Sequence, residues 1–215
     1  MNFHLVRTML LLVVVLLLPL AGFAGERVTV RHWFDGDTAQ LADGRVVRLA
    51  GIDTPEVAHG REPAQYGSAE ATQLAESLTR GVPLELTMVG DGKDRYGRII
   101  GMLRLPNGQS VAEVLVARGY AYVYWHDTLP ENLIADLMTA QRKAIATRQG
   151  AWNKVLASQD KPPVGNRNSR RMFTASCPDI VKIHPRNRVV FRSFEEAFAE
   201  GFAPARNCSA WPLAQ

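Results

Sequence analysis

Cysteine is scarce in this chain, two among 215 residues, and histidine is thinly spread. His32, His59, His126 and His184 lie far apart without ligand spacing, which argues against a zinc hydrolase centre. Each histidine reads as an ordinary strand, loop or surface residue. No internal repeat is visible. Gly 17 and Pro 12 are too few for a collagen-like or low-complexity chain. Charge of one sign is also lacking. With 25 Lys+Arg against 21 Asp+Glu and 47% hydrophobic residues, the composition excludes a disordered chain. The formal net charge of +4 is compatible with a polyanionic partner but does not identify one. After the N-terminus, no apolar run is long enough to span a bilayer.

That N-terminus holds the one long apolar run, Met9 to Leu18, preceded by Arg7 and followed by Pro19 and a small-residue stretch to Gly25. A charged head, a short apolar middle and a Gly-x-Ala end describe a secretory signal peptide, residues 1–24, cleaved after Ala24. The rival is a membrane anchor. Ten helical residues cover roughly 15 Å, about half the hydrocarbon core, so export is the expectation, to the periplasm or medium and with no stable membrane insertion after cleavage. In that oxidising setting Cys177 and Cys208 are expected to form one disulfide.

The remaining chain divides into a patterned region, residues 26–158, a polar linker with a basic end, 159–171, and a short Cys-containing module, 172–215. Within the first, strands are expected at Val28 to Phe34, Thr38 to Leu41, Arg45 to Ile52, Leu84 to Met88 and Arg98 to Leu105. Helices are expected over Ala64 to Arg80, from Ser110 to Gly119 with Glu113 completing a capping box, and over Pro130 to Arg148. The fold class is α+β, mainly β: a five-stranded barrel of the OB type with about three packed helices.

Three segments carry chemistry. In Phe34-Asp35-Gly36-Asp37-Thr38 the bland reading is a turn; the functional one has Asp37 presenting a hard oxygen while Asp35 supports it. Arg48 to Glu56 (RLAGIDTPE) reads either as a strand with a solvent-facing Arg48 or as a rigid device in which Pro55 fixes Asp53 and Glu56 toward one space. Asp94-Arg95-Tyr96-Gly97-Arg98 is either a charged hairpin or the means of delivering a second guanidinium, Arg98.

DGDT, RLxGIDTPE and DxYGR in this order resemble the staphylococcal nuclease (thermonuclease) family, together with Gln65-Tyr66-Gly67, Glu70-Ala71, Val111, Glu113, Arg118-Gly119 and Gly150-Ala151-Trp152. The resemblance covers about residues 27–153. It implies a calcium-dependent endonuclease cutting DNA and RNA with little sequence preference. Asp37, Asp53 and the Thr54 carbonyl would ligate Ca²⁺. Arg48 and Arg98 would clamp the scissile phosphate, and Glu56 would hold or deprotonate the attacking water. Arg95 and Tyr96 match positions touching a flanking phosphate, Tyr122 and Tyr124 lie where family tyrosines line the nucleotide pocket, and Asp35 and Asp94 support. Phosphodiester hydrolysis needs such a set: carboxylates for a cation, guanidiniums for the anion, one further acid for water. A weak two-carboxylate site suits extracellular calcium, where dissociation constants run to about 10⁻⁴–10⁻³ M. A non-catalytic nucleic-acid-binding OB module, or an envelope protein working through its tail, remain the alternatives. Residues 191–208 resemble the small metal-binding module of the Ada DNA-repair proteins, but Ala205 stands where a cysteine would fall, so a Cys177–Cys208 disulfide is expected over a metal. A monomer is expected.

Overall fold

The computed structural model describes residues 25–158 and 161–214; the expected signal peptide, residues 1–24, lies outside the described residues. Among the described residues no helix is long and apolar enough to cross a membrane.

The chain opens with β1 (Glu26–Val28), β2 (Val30–Trp33), β3 (Thr38–Leu41), β4 (Val46–Leu49) and β5 (Ile52–Asp53), followed by α1 (Ser68–Thr79). It continues through β6 (Leu84–Lys93), β7 (Ile99–Arg104), α2 (Val111–Ala117), β8 (Tyr122–Val123), α3 (Glu131–Ala146) and α4 (Trp152–Ala157). A curled six-stranded sheet in the order β1-β6-β7-β4-β3-β2 forms the half-barrel, and β5 pairs with β8 as a separate ladder. The α+β architecture with an OB-type sheet stands, with a different strand count. The expected first strand divides in two, because β1 pairs with β6 whereas β2 pairs with β3. The expected third strand also divides: Gly51 at φ 77 turns the chain between β4 and β5, a left-handed conformation that favours glycine.

Hydrophobic alternation explains why this sheet folds. Along β7 the burial alternates strictly, Ile99, Gly101 and Leu103 facing in. Val47, Leu49, Leu86 and Leu103 join Leu115, Val116, Leu133 and Leu137 from the helices in one aliphatic core. The capping box at α2 is present as expected: Glu113 N–H donates to Ser110 Oγ at 3.1 Å, and Ser110 N–H to Glu113 Oε2 at 3.0 Å. Helix α1 starts at Ser68, later than its expected start at Ala64. Gly67 is left-handed (φ 85), and Gln65 is tied to Leu213 of the tail by a β-bridge.

The tail carries more structure than its short sequence suggests. It holds β9 (Val164–Asn166), β10 (Arg171–Phe173), β11 (Arg188–Val190), α5 (Phe194–Ala199) and β12 (Ala203–Pro204), the four strands ordered β11-β9-β10-β12. Strand β9, and the start of β10, fall inside the segment expected as a linker. Cys177 and Cys208 are disulfide-bonded, Cα–Cα 5.8 Å, matching the expectation.

The tail shares a core with the barrel. Tyr122, Ala144, Ile145, Trp152 and Val155 are buried together with Met172, Phe191, Phe194, Phe198, Phe202 and Trp211. The Trp152 ring meets Phe198 edge-on at 4.7 Å and Trp211 at 5.4 Å. Gln141, fully buried on α3, couples the two regions. Its Oε1 accepts from Val123 N–H at 2.7 Å, and its Nε2 donates to the Phe198 carbonyl at 2.6 Å. A buried amide satisfied on both sides fixes the relative placement of β8 and α5.

Candidate active site

The site lies where β3, β4 and β5 come together. Asp35 makes the turn after β2: its Oδ1 accepts from the backbone N–H of Asp37 at 2.9 Å and of Thr38 at 2.6 Å. Only glycine fits at position 36, because a Cβ there would stand 2.7 Å from Ala71 Cβ and 2.9 Å from Thr54 Cγ2. The turn therefore packs tightly against α1 and the segment after β5, which places Asp37 inside the protein.

Asp37 is 4% exposed and surrounded by donors. Its Oδ1 accepts from Thr38 Oγ1 at 3.0 Å, and its Oδ2 from Thr54 N–H at 2.8 Å and Thr54 Oγ1 at 3.0 Å. Arg48, which its strand position alone would let face solvent, is 8% exposed. Its Nη1 lies 3.0 Å from Asp37 Oδ1 and its Nη2 2.6 Å from Asp53 Oδ1, so one guanidinium bridges two buried carboxylates. Parallel pairing of β4 with β7 and antiparallel pairing with β3 hold Arg48 in register, opposite Ile100 and Thr38 respectively.

Two acids against one enclosed guanidinium leave an excess of negative charge. Burial pushes the Asp37 carboxyl up to about 6 despite Arg48, and burial likewise raises Asp53. Burial opposes the charged form of Arg48, yet Asp37 and Asp53 outweigh it and hold its pKa above the ordinary value. Glu56 projects to the exposed rim just past Pro55; burial of part of the side chain, then the charges of Asp53 and Asp37, raise its pKa. Its backbone N–H donates to Gln65 Oε1 at 2.9 Å.

Arg98 approaches from the hairpin before β7. Asp94 folds that turn, accepting on Oδ1 from Tyr96 N–H and Arg98 N–H and on Oδ2 from Arg98 Nε at 2.7 Å. Although burial acts the other way, Arg98 keeps the Asp94 carboxyl below its ordinary range. Arg98 Nη1 reaches Thr38 Oγ1 at 3.5 Å, beside Asp37. Tyr96 lies exposed between two cations, with Arg95 Cζ 4.8 Å and Arg98 Cζ 5.5 Å from its ring centroid. Asp35, Asp37, Arg48, Asp53, Thr54, Glu56, Asp94 and Arg98, singled out from three separate sequence segments, thus gather in one place, with Arg95 and Tyr96 beside Arg98.

Tyr122 and Tyr124 are placed less openly. Tyr122 is 5% exposed, packs 5.1 Å from the Trp211 ring and donates from its hydroxyl to Asp53 Oδ2 at 3.3 Å. Burial, then the Asp53 charge, lift its pKa well above 10. Tyr124 is half-buried beneath Arg171, whose Cζ stands 4.0 Å over its ring. Arg171 is the residue that sequence reasoning missed. It came from a basic linker end, one arginine among several, and no local signal distinguishes it. In the structure its Nη1 lies 3.9 Å from Asp53 Oδ2 and donates to the Pro204 carbonyl at 2.9 Å.

Asp37 and Asp53 carry carboxylate oxygens of the kind a hard cation takes, although Arg48, Thr38, Thr54 and Tyr122 engage them here, and the Thr54 carbonyl accepts no hydrogen bond from the described residues. Among the described residues no three His, Cys, Asp or Glu side chains gather at metal-binding spacing.

Residues 46–154, half of the chain, match the family of staphylococcal nuclease homologues. The chain belongs to the staphylococcal nuclease family. Among its relatives is an uncharacterized endonuclease of Escherichia coli, 33% identical over 123 residues, covering 55% of this chain and 72% of that protein. The thermonuclease of Staphylococcus intermedius is 32% identical over 136 residues, 60% of this chain and 78% of the relative. Endonuclease YhcR of Bacillus subtilis is 25% identical over 194 residues, 78% of this chain but 16% of that longer protein. The family match ends at residue 154, so the tail that covers Tyr122 and Tyr124 lies beyond it.

Proposed function

We propose that the protein is an exported, calcium-dependent endonuclease that hydrolyses phosphodiester bonds of DNA and RNA with little sequence preference. Nuclease activity follows from family membership and agrees with the endonuclease and thermonuclease names of its relatives. The observation that carries the finer reading is the convergence of Asp37, Arg48 and Asp53 in one buried cluster with Glu56 and Arg98 at its rim.

Asp37, Asp53 and the Thr54 carbonyl are the groups that would hold Ca²⁺, which when bound supplies charge neutralisation and orientation for a phosphodiester. Arg48 and Arg98 present planar guanidiniums on two sides of the cluster. Each can bind non-bridging phosphate oxygens, and both grip harder as negative charge accumulates in the transition state. Glu56, ionised and held at the rim by Gln65, positions the attacking water or accepts its proton as the water oxygen bonds to phosphorus and the alkoxide departs. The exposed Tyr96, with Arg95, offers an aromatic and cationic surface beside Arg98 for the flanking chain. The Cys177–Cys208 bridge supports export, because such bonds persist in oxidising compartments.

Cleavage of single-stranded DNA by the purified protein, with added Ca²⁺ and again with excess chelator, is the direct test. Activity is expected only with Ca²⁺. Glu56→Ala and Arg98→Ala, both at the rim, should melt like the wild type while losing about two to three orders of magnitude in kcat. Arg48→Ala should lose activity and also be destabilised by about 3–5 kcal/mol, since it strands two buried acids. Full activity in the Glu56 and Arg98 variants would overturn the mechanism.

A further inference from the structure

The polypeptide after the family match is built into the edge of the site. Residues 209–214 run alongside the loop that follows Glu56. Tyr66 N–H donates to the Pro212 carbonyl at 2.8 Å, Ala214 N–H to the Ala64 carbonyl at 2.8 Å, and Trp211 Nε1 to the Tyr66 carbonyl at 2.7 Å. Gln65, which holds the Glu56 backbone through Oε1, approaches Ser209 Oγ through Nε2 at 3.4 Å. Three residues before Ser209 stands Arg206, on a short 3-10 turn, Arg206–Cys208, that the disulfide ties to Cys177.

Arg206, Arg167 and Arg186 are the exposed guanidiniums of the tail without a side-chain partner among the described residues, and of the three Arg206 adjoins the segment that meets Gln65, whereas the rest of the tail's arginines are engaged. Arg192 is paired with Glu196 at 2.8 Å, Arg188 donates to the Ile180 and Ile183 carbonyls, and Arg171 is fixed by Pro204 and Tyr124. Arg206 is exposed and has no hydrogen-bond or ion-pair partner among the described residues, although it stands close enough for its charge to act on both Asp53 and Glu56. An unengaged cation on a cross-linked turn, beside the acid that handles water, is placed for an anion that arrives with the substrate.

We propose that the C-terminal module forms a second wall of the cleavage site and that Arg206 binds a phosphate of the nucleic-acid strand next to the one being cut. The inference rests on the nuclease reading and deepens it: the barrel supplies the reacting groups, and the tail supplies a subsite that only a substrate with more than one phosphate can use. Arg171 marks the depth of that wall, reaching the same carboxylate, Asp53, that Arg48 holds from the barrel side. The subsite therefore favours longer strands through binding and leaves the chemical step unchanged.

The experiment compares wild type, Arg206→Ala, Arg206→Glu and, as a control on the same module, Arg192→Ala. Two substrates are used with Ca²⁺: an oligothymidylate, and bis(p-nitrophenyl) phosphate, which has a single phosphodiester. Arg206→Ala is expected to raise KM for the oligothymidylate about three- to tenfold with kcat unchanged. The reversed charge should raise it further, and on the alkaline side of the Glu56 titration, where that acid is ionised with or without Arg206, neither variant should alter turnover of the small diester. The dependence of log KM on log salt should become shallower by about 0.7, one single-strand phosphate contact. Equal losses on both substrates would mean that Arg206 acts through Glu56, and no loss on either would mean that it binds nothing; both overturn the proposal. A fluorescence-anisotropy titration of labelled oligothymidylate in chelator separates this inference from the nuclease reading. Should the wild type fail to cleave, weaker binding by Arg206→Ala would still support the subsite and unchanged binding would still overturn it.

Discussion

The barrel and the C-terminal module solve the problem of burial differently. The barrel encloses an aliphatic core of Val, Leu and Ile built around the two longer strands β6 and β7, and it encloses charge as well, with Asp37, Arg48 and Asp53 all buried. The module has strands of two or three residues and a core of Phe191, Phe194, Phe198, Phe202 and Trp211, completed by Tyr122 and Trp152 of the barrel. Segments that short cannot exclude water by themselves. Large rings give the most buried area per residue, a disulfide restrains the unfolded chain, and the barrel lends its outer face. The active-site edge thereby rests on an interface whose tail side lies outside the family-matched residues.

The contrast can be broken most directly at Trp211. Its ring lies against Tyr122, Trp152 and Phe198, so Trp211→Ala should cost about 3–5 kcal/mol in stability. Barrel and module should still unfold in one transition, followed by circular dichroism and tryptophan fluorescence. Two separated transitions in the wild type would mean that the module stands alone. Next in size is the disulfide. Replacing both Cys177 and Cys208 with Ser should remove roughly 3–4 kcal/mol, on the chain-entropy model for a separation of 31 residues, read as a lower urea midpoint. The smallest effect belongs to the barrel's own electrostatics. Glu56 must be ionised to assist water, so activity is present above its pKa and falls as pH drops through it. Because burial and the neighbouring acids raise that pKa, the acid limb of kcat/KM should lie above 4.5, the ordinary glutamate value. A profile flat below pH 4.5 would remove Glu56 from the role.

Much of the barrel was legible because its signals are local. The Ser110–Glu113 capping box and the strand at Arg98 to Leu105 need only a few residues to operate, and both occur as expected. Asp94 folding the turn that presents Arg98 is equally local. Where expectation and structure part, a distant contact decides. Helix α1 starts at Ser68 because the Gln65 strand position is claimed by Leu213, well over a hundred residues away. Arg48 could face solvent on strand period alone; Asp37 and Asp53 draw it inside. Arg171 had no legible role because its partners, Asp53, Tyr124 and Pro204, come from three remote segments.

The amino-acid sequence by itself determined which chemistry is present: the acids, the guanidiniums, the glycine that lets the DGD turn pack, and the paired cysteines. Those properties reside in side-chain type and in spacing over a few residues. Tertiary structure alone decided that one guanidinium would bridge two buried carboxylates, that Tyr122 would be covered by Trp211, and that the tail would stand against Glu56. Burial is a property of the whole packed molecule. The desolvation that shifts Asp37 exists only once the barrel has closed, and the burial of Tyr122 against Trp211 only once barrel and tail have met.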